Sequence, residues 1–478
     1  MKNRMPLLEA LLKYKEENIY PFHTPGHKGG RGMEKMLRQA LGGSTVLDVS
    51  LMSELDDIHR PKTYIARAQA MAARVYGSDA CFWAVNGTTQ AVHAMMLAAL
   101  RPREKVLLPR NIHRSVAGGL ILSDLEAVFL RPDYCERFDI HTQVSPEAIE
   151  GVLKKNSAIK AVLLTSPNYY GVAAETKKIA DICHKYNRVL LVDEAHGPHL
   201  GFSKKLPPSA MQCGADACVQ STHKILGAMS QCSMLHIKGK RILPEFAADA
   251  MSLLTTTSPN YLLMASLDAV RYQIEAKGGK MAETAISAAD KLREVIARHK
   301  GLRILKSSDC GGLKLDKTKV TVSFKKWGIS GMKAAGCLRE NGIAVELADA
   351  WNVLFLVTFA DTGRDFKNAL LKIDASLSKL EKGKRQALAE IVPEMPETTA
   401  AMKMRDVFYA DREKIPFAPS SGRICGEQVS FYPPGIPVLL PGEIITDEII
   451  GYCRRMKETG ISVSGPADSS LKTIRVIK

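Results

Sequence analysis

Three short segments combine residue types capable of chemistry with a position at the end of an apolar run. The first, Asn86-Gly87-Thr88-Thr89, follows ACFWAV and opens the helix-patterned QAVHAMMLAAL. Backbone N–H groups at a helix start, two hydroxyls and a flexible Gly suit a phosphate, although the same residues also describe a Thr-capped helix after a turn. The second, Asp193-Glu194-Ala195-His196-Gly197, ends the apolar RVLLVD. A carboxylate at the end of a buried strand needs a cationic or donor partner, which either an Arg or a protonated ring nitrogen supplies. The third, Ser221-Thr222-His223-Lys224, closes ACVQS. A Lys held there between polar groups and apolar walls is a candidate for a lowered pKa and for imine formation.

Asp193 and Lys224 are 31 positions apart, one strand–connection–strand unit. That spacing can bring both to one crevice at the ends of parallel strands, where open α/β sheets bind ligands. An aldehyde for the Lys, a pyridine nitrogen for the Asp and a phosphate for the helix start are all carried by pyridoxal 5′-phosphate.

The elements that would position these groups follow from periodicity. KVLLP (Lys105–Pro109), AVLLT (Ala161–Thr165), RVLLVD (Arg188–Asp193) and ACVQS (Ala217–Ser221) alternate with helix-period segments. Unbroken apolar strands between helices predict an α/β fold with a mostly parallel sheet covered on both faces. KVTVSF (Lys319–Phe324), IAVEL (Ile343–Leu347) and VLFLVTF (Val353–Phe359), interleaved with helical Gly331–Glu340 and Arg364–Leu380, predict a second, smaller α/β domain. The expected division is an N-terminal helix and loop (1–45), a large cofactor-binding domain (46–300), a small domain (301–385) and a C-terminal unit (386–478). The stretch from Glu381 to Pro419 is polar and reads as a connection with some helix.

Composition narrows the class. The chain has 478 residues, 46% of them hydrophobic and 24% charged, close to the soluble globular average. Nothing approaches the roughly 18 unbroken apolar residues of a membrane helix, and no secretory core follows Met1, so a cytoplasmic protein is expected. A net charge of +16 raises a nucleic-acid partner. The basic residues are dispersed, densest at Lys379–Arg385, which favours a solvated basic face over such a partner. Ten Cys without a C-x-x-C pair read as buried free thiols, not as a metal site.

With these motifs the chain resembles the bacterial Orn/Lys/Arg decarboxylases of the aspartate-aminotransferase fold type, fold type I. The likeness runs nearly end to end through FHTPGHKGG (Phe22–Gly30), ELDDIHRP (Glu54–Pro61), AVNGTT (Ala84–Thr89), LPRNIHRSV (Leu108–Val116), TSPNYYG (Thr165–Gly171), VDEAHG (Val192–Gly197), STHK (Ser221–Lys224), TTTSPNYLLMASLD (Thr255–Asp268) and YPPGIPVLLPGE (Tyr432–Glu443). The resemblance implies Lys224 as the imine-forming lysine, Asp193 as partner of the pyridine nitrogen, His113 stacked on the ring and His196 near cofactor or substrate. It places Gly87, Thr88, Thr89, Ser221 and His223 at the phosphate, and Thr255–Ser258 toward a neighbouring subunit's cofactor. A homodimer or dimer-based oligomer with shared active sites is implied, in the short form found in Gram-positive bacteria, without the N-terminal wing of the large enterobacterial members. Cys81 and Cys232 depart from the family pattern.

The implied reaction is decarboxylation of a basic amino acid, arginine first and lysine or ornithine next, to an amine. A cationic substrate must overcome the +16 chain through local carboxylates. Asp57 and Glu427 are the expected readers, with Glu54, Asp56 and Glu443 as further candidates. The rivals are another fold-type-I enzyme, such as an aminotransferase using Arg423 for the substrate carboxylate, and a catalytically silent binding homologue.

Overall fold

A computed structural model describes residues 4–52, 54–382, 395–432 and 435–478. Its centre is a seven-stranded sheet in the order Ala80–Ala84, Ser233–Ile237, Ala217–Gln220, Val189–Asp193, Ile159–Thr165, Lys105–Pro109, Glu126–Leu130. Five strands are parallel neighbours; Ser233–Ile237 runs antiparallel to both of its neighbours. The apolar runs are unbroken because each strand feeds two cores. Val106 and Leu108 pack with Met95 and Leu120 on one face, whereas Leu107 joins Leu164, Ile149 and Ile179 on the other. Alternate side chains of a strand point to opposite faces, so helices on both sides require apolar residues throughout.

The 37-residue helix Tyr261–Ala297 links the large sheet to a second one. Its first turns bury Tyr261, Met264 and Leu267 against the N-terminal helix region, and its last turns bury Leu292 and Ile296 under the small sheet. The expected helix at the start of the chain, Pro6–Glu16, buries Leu7 and Leu11 while Leu12 faces out. The small sheet is antiparallel throughout, in the order Arg303–Ile304, Lys319–Ser323, Asn352–Leu356, Leu347–Ala348. The strand expected at Ile343–Leu347 is shorter than its apolar pattern. Helix Gly331–Glu340 ends at Asn341, Gly342 turns at φ +77°, and the chain pairs only at Leu347 and Ala348. Ile343 and Val345 instead pack directly on the small-domain core.

The C-terminal part contains a two-stranded sheet (Arg412–Pro416 with Thr473–Ile477), a three-stranded one (Ile436–Leu439, Val429–Tyr432, Ser462–Ser464) and helix Asp447–Glu458. A buried ion pair fastens it to the large sheet. Arg110, next after strand Lys105–Pro109, donates to both carboxylate oxygens of Glu443 at 2.6 and 2.8 Å and to the Val438 carbonyl at 3.1 Å. Thr398 Oγ1 and the Leu440 amide also donate to Glu443. The basic run Lys379–Arg385 and the Glu381–Pro419 connection fall partly outside the described residues, as do Pro433 and Pro434 of the YPPGIP unit. All ten Cys are free, nine buried and Cys337 half-buried. No described helix is long and apolar enough to cross a membrane.

Candidate active site

The parallel strands end on one cavity of about 310 Å³. Asp193, the last residue of its strand, enters from the sheet centre, Lys224 follows the adjacent strand, and helix Gly87–Ala99 begins beyond the sheet's antiparallel edge. Nine residues singled out by motif line it together: Gly87, Thr88, Thr89, His113, Asp193, His196, Ser221, His223 and Lys224.

The helix start is built for an acceptor. Asn86 provides no side-chain cap; the Gly87 amide donates to the Gln231 carbonyl at 3.1 Å, and the Thr88 and Thr89 amides are left without a capping side chain. Thr88 Oγ1 hydrogen-bonds Ser221 Oγ and donates to Ser233 Oγ at 2.9 Å, gathering three hydroxyls beside those amides. Gly87 has φ +79°, a turn geometry in which a Cβ is disfavoured. Ser233 carried no signal in sequence, because it is one small residue opening a mostly apolar antiparallel strand.

Lys224 Nζ lies 2.9 Å from His196 Nε2 and 5.7 Å from the centre of the Tyr169 ring, which itself packs on His196 at 4.5 Å between centroids. Burial lowers the Lys224 pKa, opposed by the charges of Asp193 and Glu346. His196 is held well below its usual value by burial and then by the nearby Lys319 and Lys224 charges, so it is a neutral imidazole at physiological pH. His223 is also lowered by burial, against the Cys232 carbonyl that its Nδ1 meets at 2.8 Å.

His113 caps helix Arg114–Leu122. Its Nδ1 accepts from the Ser115 amide at 3.2 Å and meets Ser115 Oγ at 2.8 Å. An accepting Nδ1 places the proton of the neutral ring on Nε2, in keeping with a pKa lowered mainly by burial. Asp193 Oδ1 accepts from the Ala195 amide at 3.1 Å, and no Arg is paired with its carboxylate among the described residues.

Two buried polar atoms on the cavity wall, Thr165 Oγ1 and His196 Nδ1, have no hydrogen-bond partner among the described residues. An uncapped helix start, a carboxylate, a desolvated amine and unsatisfied wall atoms in one cavity fit a phosphorylated pyridine aldehyde in size and chemistry.

The expected substrate readers lie elsewhere. Neither Asp57 nor Glu427 lines the cavity. Asp57 accepts from the His59 amide, and Glu427 is buried with its two oxygens on the Ala467 and Arg475 amides at 2.9 Å. Asp56 receives the Lys62, Thr63 and Ile65 amides at the start of helix Tyr64–Tyr76, and Glu443 belongs to Arg110. Arg423 is engaged with Glu413 and the Ile477 carbonyl, away from the cavity. Thr256–Ser258 are exposed and do not line the cavity of this chain.

Other residues were not foreseen. Asn168, Tyr169 and Tyr170 follow strand Ile159–Thr165 on a turn, Gln231 precedes the antiparallel strand, and Ile436 arrives from the C-terminal part. The TSPNYYG run was a visible signal for the turn; Ile436 lies in the YPPGIPVLLPGE run, which gave no sign that it reaches the cavity. Cys81 is a buried strand residue, and Cys232 is fully buried with its thiol on the Leu263 carbonyl at 3.2 Å. Burial raises both thiols, that of Cys232 to about 12, so both act as apolar packing groups.

This sheet order and strand-end cavity define a fold-type-I enzyme, the class of pyridoxal-phosphate-dependent enzymes built on such a large and small domain. Residues 5–314 match the Orn/Lys/Arg decarboxylase major domain, and residues 383–466 match the C-terminal domain of the same family. The chain belongs to the Orn/Lys/Arg decarboxylase family. It is 38% identical to an arginine decarboxylase of Halalkalibacterium halodurans, covering 100% of this chain and 98% of that one, and 37% identical to an arginine decarboxylase of Bacillus subtilis with the same coverage. The constitutive lysine decarboxylase of Escherichia coli shares the fold at a TM-score of 0.82 and 22% identity, over 99% of this chain and 82% of the other.

Proposed function

We propose that this chain holds pyridoxal 5′-phosphate in the strand-end cavity and decarboxylates a basic amino acid, arginine first and lysine or ornithine next. The observation that carries the reading is the convergence of Lys224, Asp193 and the Thr88 and Ser221 hydroxyls on one cavity, in a chain similar over its whole length to arginine decarboxylases.

When bound, the cofactor supplies an aldehyde for amines and a protonated ring that accepts the electrons released as CO₂ leaves. Lys224 would hold it covalently. Gly87, Thr88, Thr89, Ser221 and His223 would hold its phosphate, and the Asp193 carboxylate would keep a proton on the ring nitrogen. His113, fixed as a helix cap, would pack on the ring. His196 would take up or return a proton at Nε2, its atom nearest Lys224.

For the substrate's distal cation we assign Glu346, which like Asp57 and Glu427 does not line the cavity but unlike them acts by its charge on Lys224. Glu346 is exposed, ahead of the strand Leu347–Ala348, and its charge acts on Lys224, Lys319 and Tyr169. An aminotransferase would need a donor fork for the substrate carboxylate; Arg423, offered for it, is occupied elsewhere. The active unit is proposed as a homodimer or dimer-based oligomer in the cytoplasm.

The test is reduction of the cofactor-loaded protein with borohydride, peptide mass mapping, and amine release from arginine, lysine, ornithine and leucine. The reading requires the adduct on Lys224 and turnover of a cationic substrate well above that of leucine. An adduct elsewhere, or leucine turned over as fast as the best cation, refutes it.

A further inference from the structure

Cys135 and Cys310 bring two thiols together where the large domain meets the small sheet. Cys135 ends strand Tyr134–Cys135 of a two-stranded hairpin completed by Ile140–His141, and Cys310 ends the short 3₁₀ helix Ser307–Cys310. The two side chains sit in one buried cluster with Phe138, Tyr170 and Leu354, and their thiols hydrogen-bond each other. Polar contacts on both sides fix this approach. Arg137 Nη1 holds Asp309 Oδ1 at 2.7 Å, Lys325 Nζ holds Asp139 Oδ2 at 2.7 Å, and Asn352 Nδ2 donates to the Phe138 carbonyl at 2.8 Å. The hairpin is thereby seated on the small sheet, while its last residue, His141, lines the active-site cavity.

The surroundings of this pair differ from those of the other thiols. Burial raises most of the others, among them Cys81, Cys183, Cys218 and Cys453. At Cys135 the hydrogen bond from the Cys310 thiol outweighs burial, the Phe138 and Arg137 amides add to it, Asp309 opposes, and the thiol is held below its usual value. The Cys310 proton is held more firmly in return. A thiolate attacks where a thiol does not, which makes Cys135 the reactive sulfur of the two. Both residues are 5% exposed, but Glu136 and Arg137 beside one and Gly311 and Gly312 beside the other are exposed. The sulfurs therefore lie one layer beneath the solvent, within reach of an oxidant as small as hydrogen peroxide.

We propose that Cys135 and Cys310 are a modification site, a dithiol that hydrogen peroxide converts to a reversible disulfide tying the hairpin of the cavity wall to the small sheet. The Cys135 sulfur attacks one peroxide oxygen, the O–O bond breaks, and the other oxygen leaves as water with the proton that Cys135 gave up. Cys135 is thereby oxidised to a sulfenic acid and the peroxide is reduced. The Cys310 sulfur then attacks the Cys135 sulfur: the S–S bond forms, the S–O bond breaks, and the hydroxyl leaves as water with the Cys310 proton. A thiol reductant restores both cysteines by exchange, and the free pair seen here is that reduced state.

The inference goes beyond the proposed reaction, and its test does not depend on turnover. The full chain, first reduced, is treated with hydrogen peroxide, the remaining thiols are alkylated under denaturing conditions, and peptides are mapped by mass with and without dithiothreitol. We expect a linked pair of peptides containing Cys135 and Cys310, two hydrogens lighter than the separate peptides, released by dithiothreitol and formed before any other thiol is lost. The cross-link closes a long loop of chain, so the oxidised protein should melt a few degrees higher, a rise that Cys310→Ser abolishes. Cys310→Ser should also leave Cys135 as a sulfenic acid that dimedone labels, whereas Cys135→Ser should leave Cys310 unlabelled. Mapping of the parent requires no variant, so a substitution that fails to fold does not remove the test. Cys135 and Cys310 both alkylated after peroxide, or Cys135 linked to a different cysteine, overturns the inference; dimedone on Cys310 in the Cys135→Ser protein overturns the choice of attacking sulfur.

Discussion

Lys224 Nζ and His196 Nε2 meet at 2.9 Å beneath the Tyr169 ring, an amine and an imidazole both shifted toward their uncharged forms by burial. In the proposed reaction the contact would carry a proton across one hydrogen bond. We expect His196→Ala to retain the borohydride-trapped adduct on Lys224 and to lose about tenfold to a hundredfold in kcat/KM, as removal of one buried hydrogen-bond partner does. Steady-state kinetics with adduct mapping checks it, and unchanged kcat/KM refutes it.

Asp193→Ala should lose far more turnover than cofactor affinity. The hydroxyls around Thr88 and the uncapped helix start still hold a phosphate, whereas an unprotonated ring accepts electrons poorly. Cofactor titration by absorbance, alongside kcat, separates the two effects; equal losses in both would contradict this assignment.

Glu346→Gln should raise KM for arginine and lysine about fivefold, the effect of roughly 1 kcal/mol in an exposed charge contact, with little change in cofactor binding. Asp57→Asn and Glu427→Gln should not separate cationic from neutral substrates, because their carboxylates serve backbone amides. KM for each substrate, measured in all three variants, ranks the carboxylates.

Stability in acid should depend on Asp316. Burial alone would raise its pKa, but His199, Lys319 and Thr318 hold it down at about 2, below its ordinary 3.8. A depressed carboxylate contributes stability above its unfolded pKa and loses it as pH falls through the folded one, here between about pH 4 and pH 2. Asp316→Asn should therefore be less stable than the parent at pH 6, and the difference should shrink across that window. Urea midpoints at pH 6, 4 and 2.5 test the sign.

Arg110→Ala should cost about 3–5 kcal/mol, because it leaves the buried Glu443 charge with only its Thr398 and Leu440 donors and no cation. Thermal melting reads the loss. A variant within 1 kcal/mol of the parent would mean that this contact does not fasten the C-terminal part to the large sheet.

The sequence by itself determined the apolar strands, their alternation with helices and three strand-end motifs, because burial on both faces and helix starts leave marks within a few residues. Asp193 and Lys224 were legible for that reason: Asp193 ends, and Lys224 closely follows, a run that reads as a buried strand. Their shared cavity with the Thr88 hydroxyl depends on sheet order, which sets Ala217–Gln220 beside Val189–Asp193 and inserts Ser233–Ile237 next to both Ala217–Gln220 and Ala80–Ala84. Only the tertiary structure placed Lys319 against Tyr169, 150 residues away in the chain, and brought Glu346 near Lys224. It also decided that Asp57 and Glu427 are occupied by backbone amides. A carboxylate's side-chain type is written in the chain, but its partner is chosen by whichever unpaired donors the fold leaves beside it.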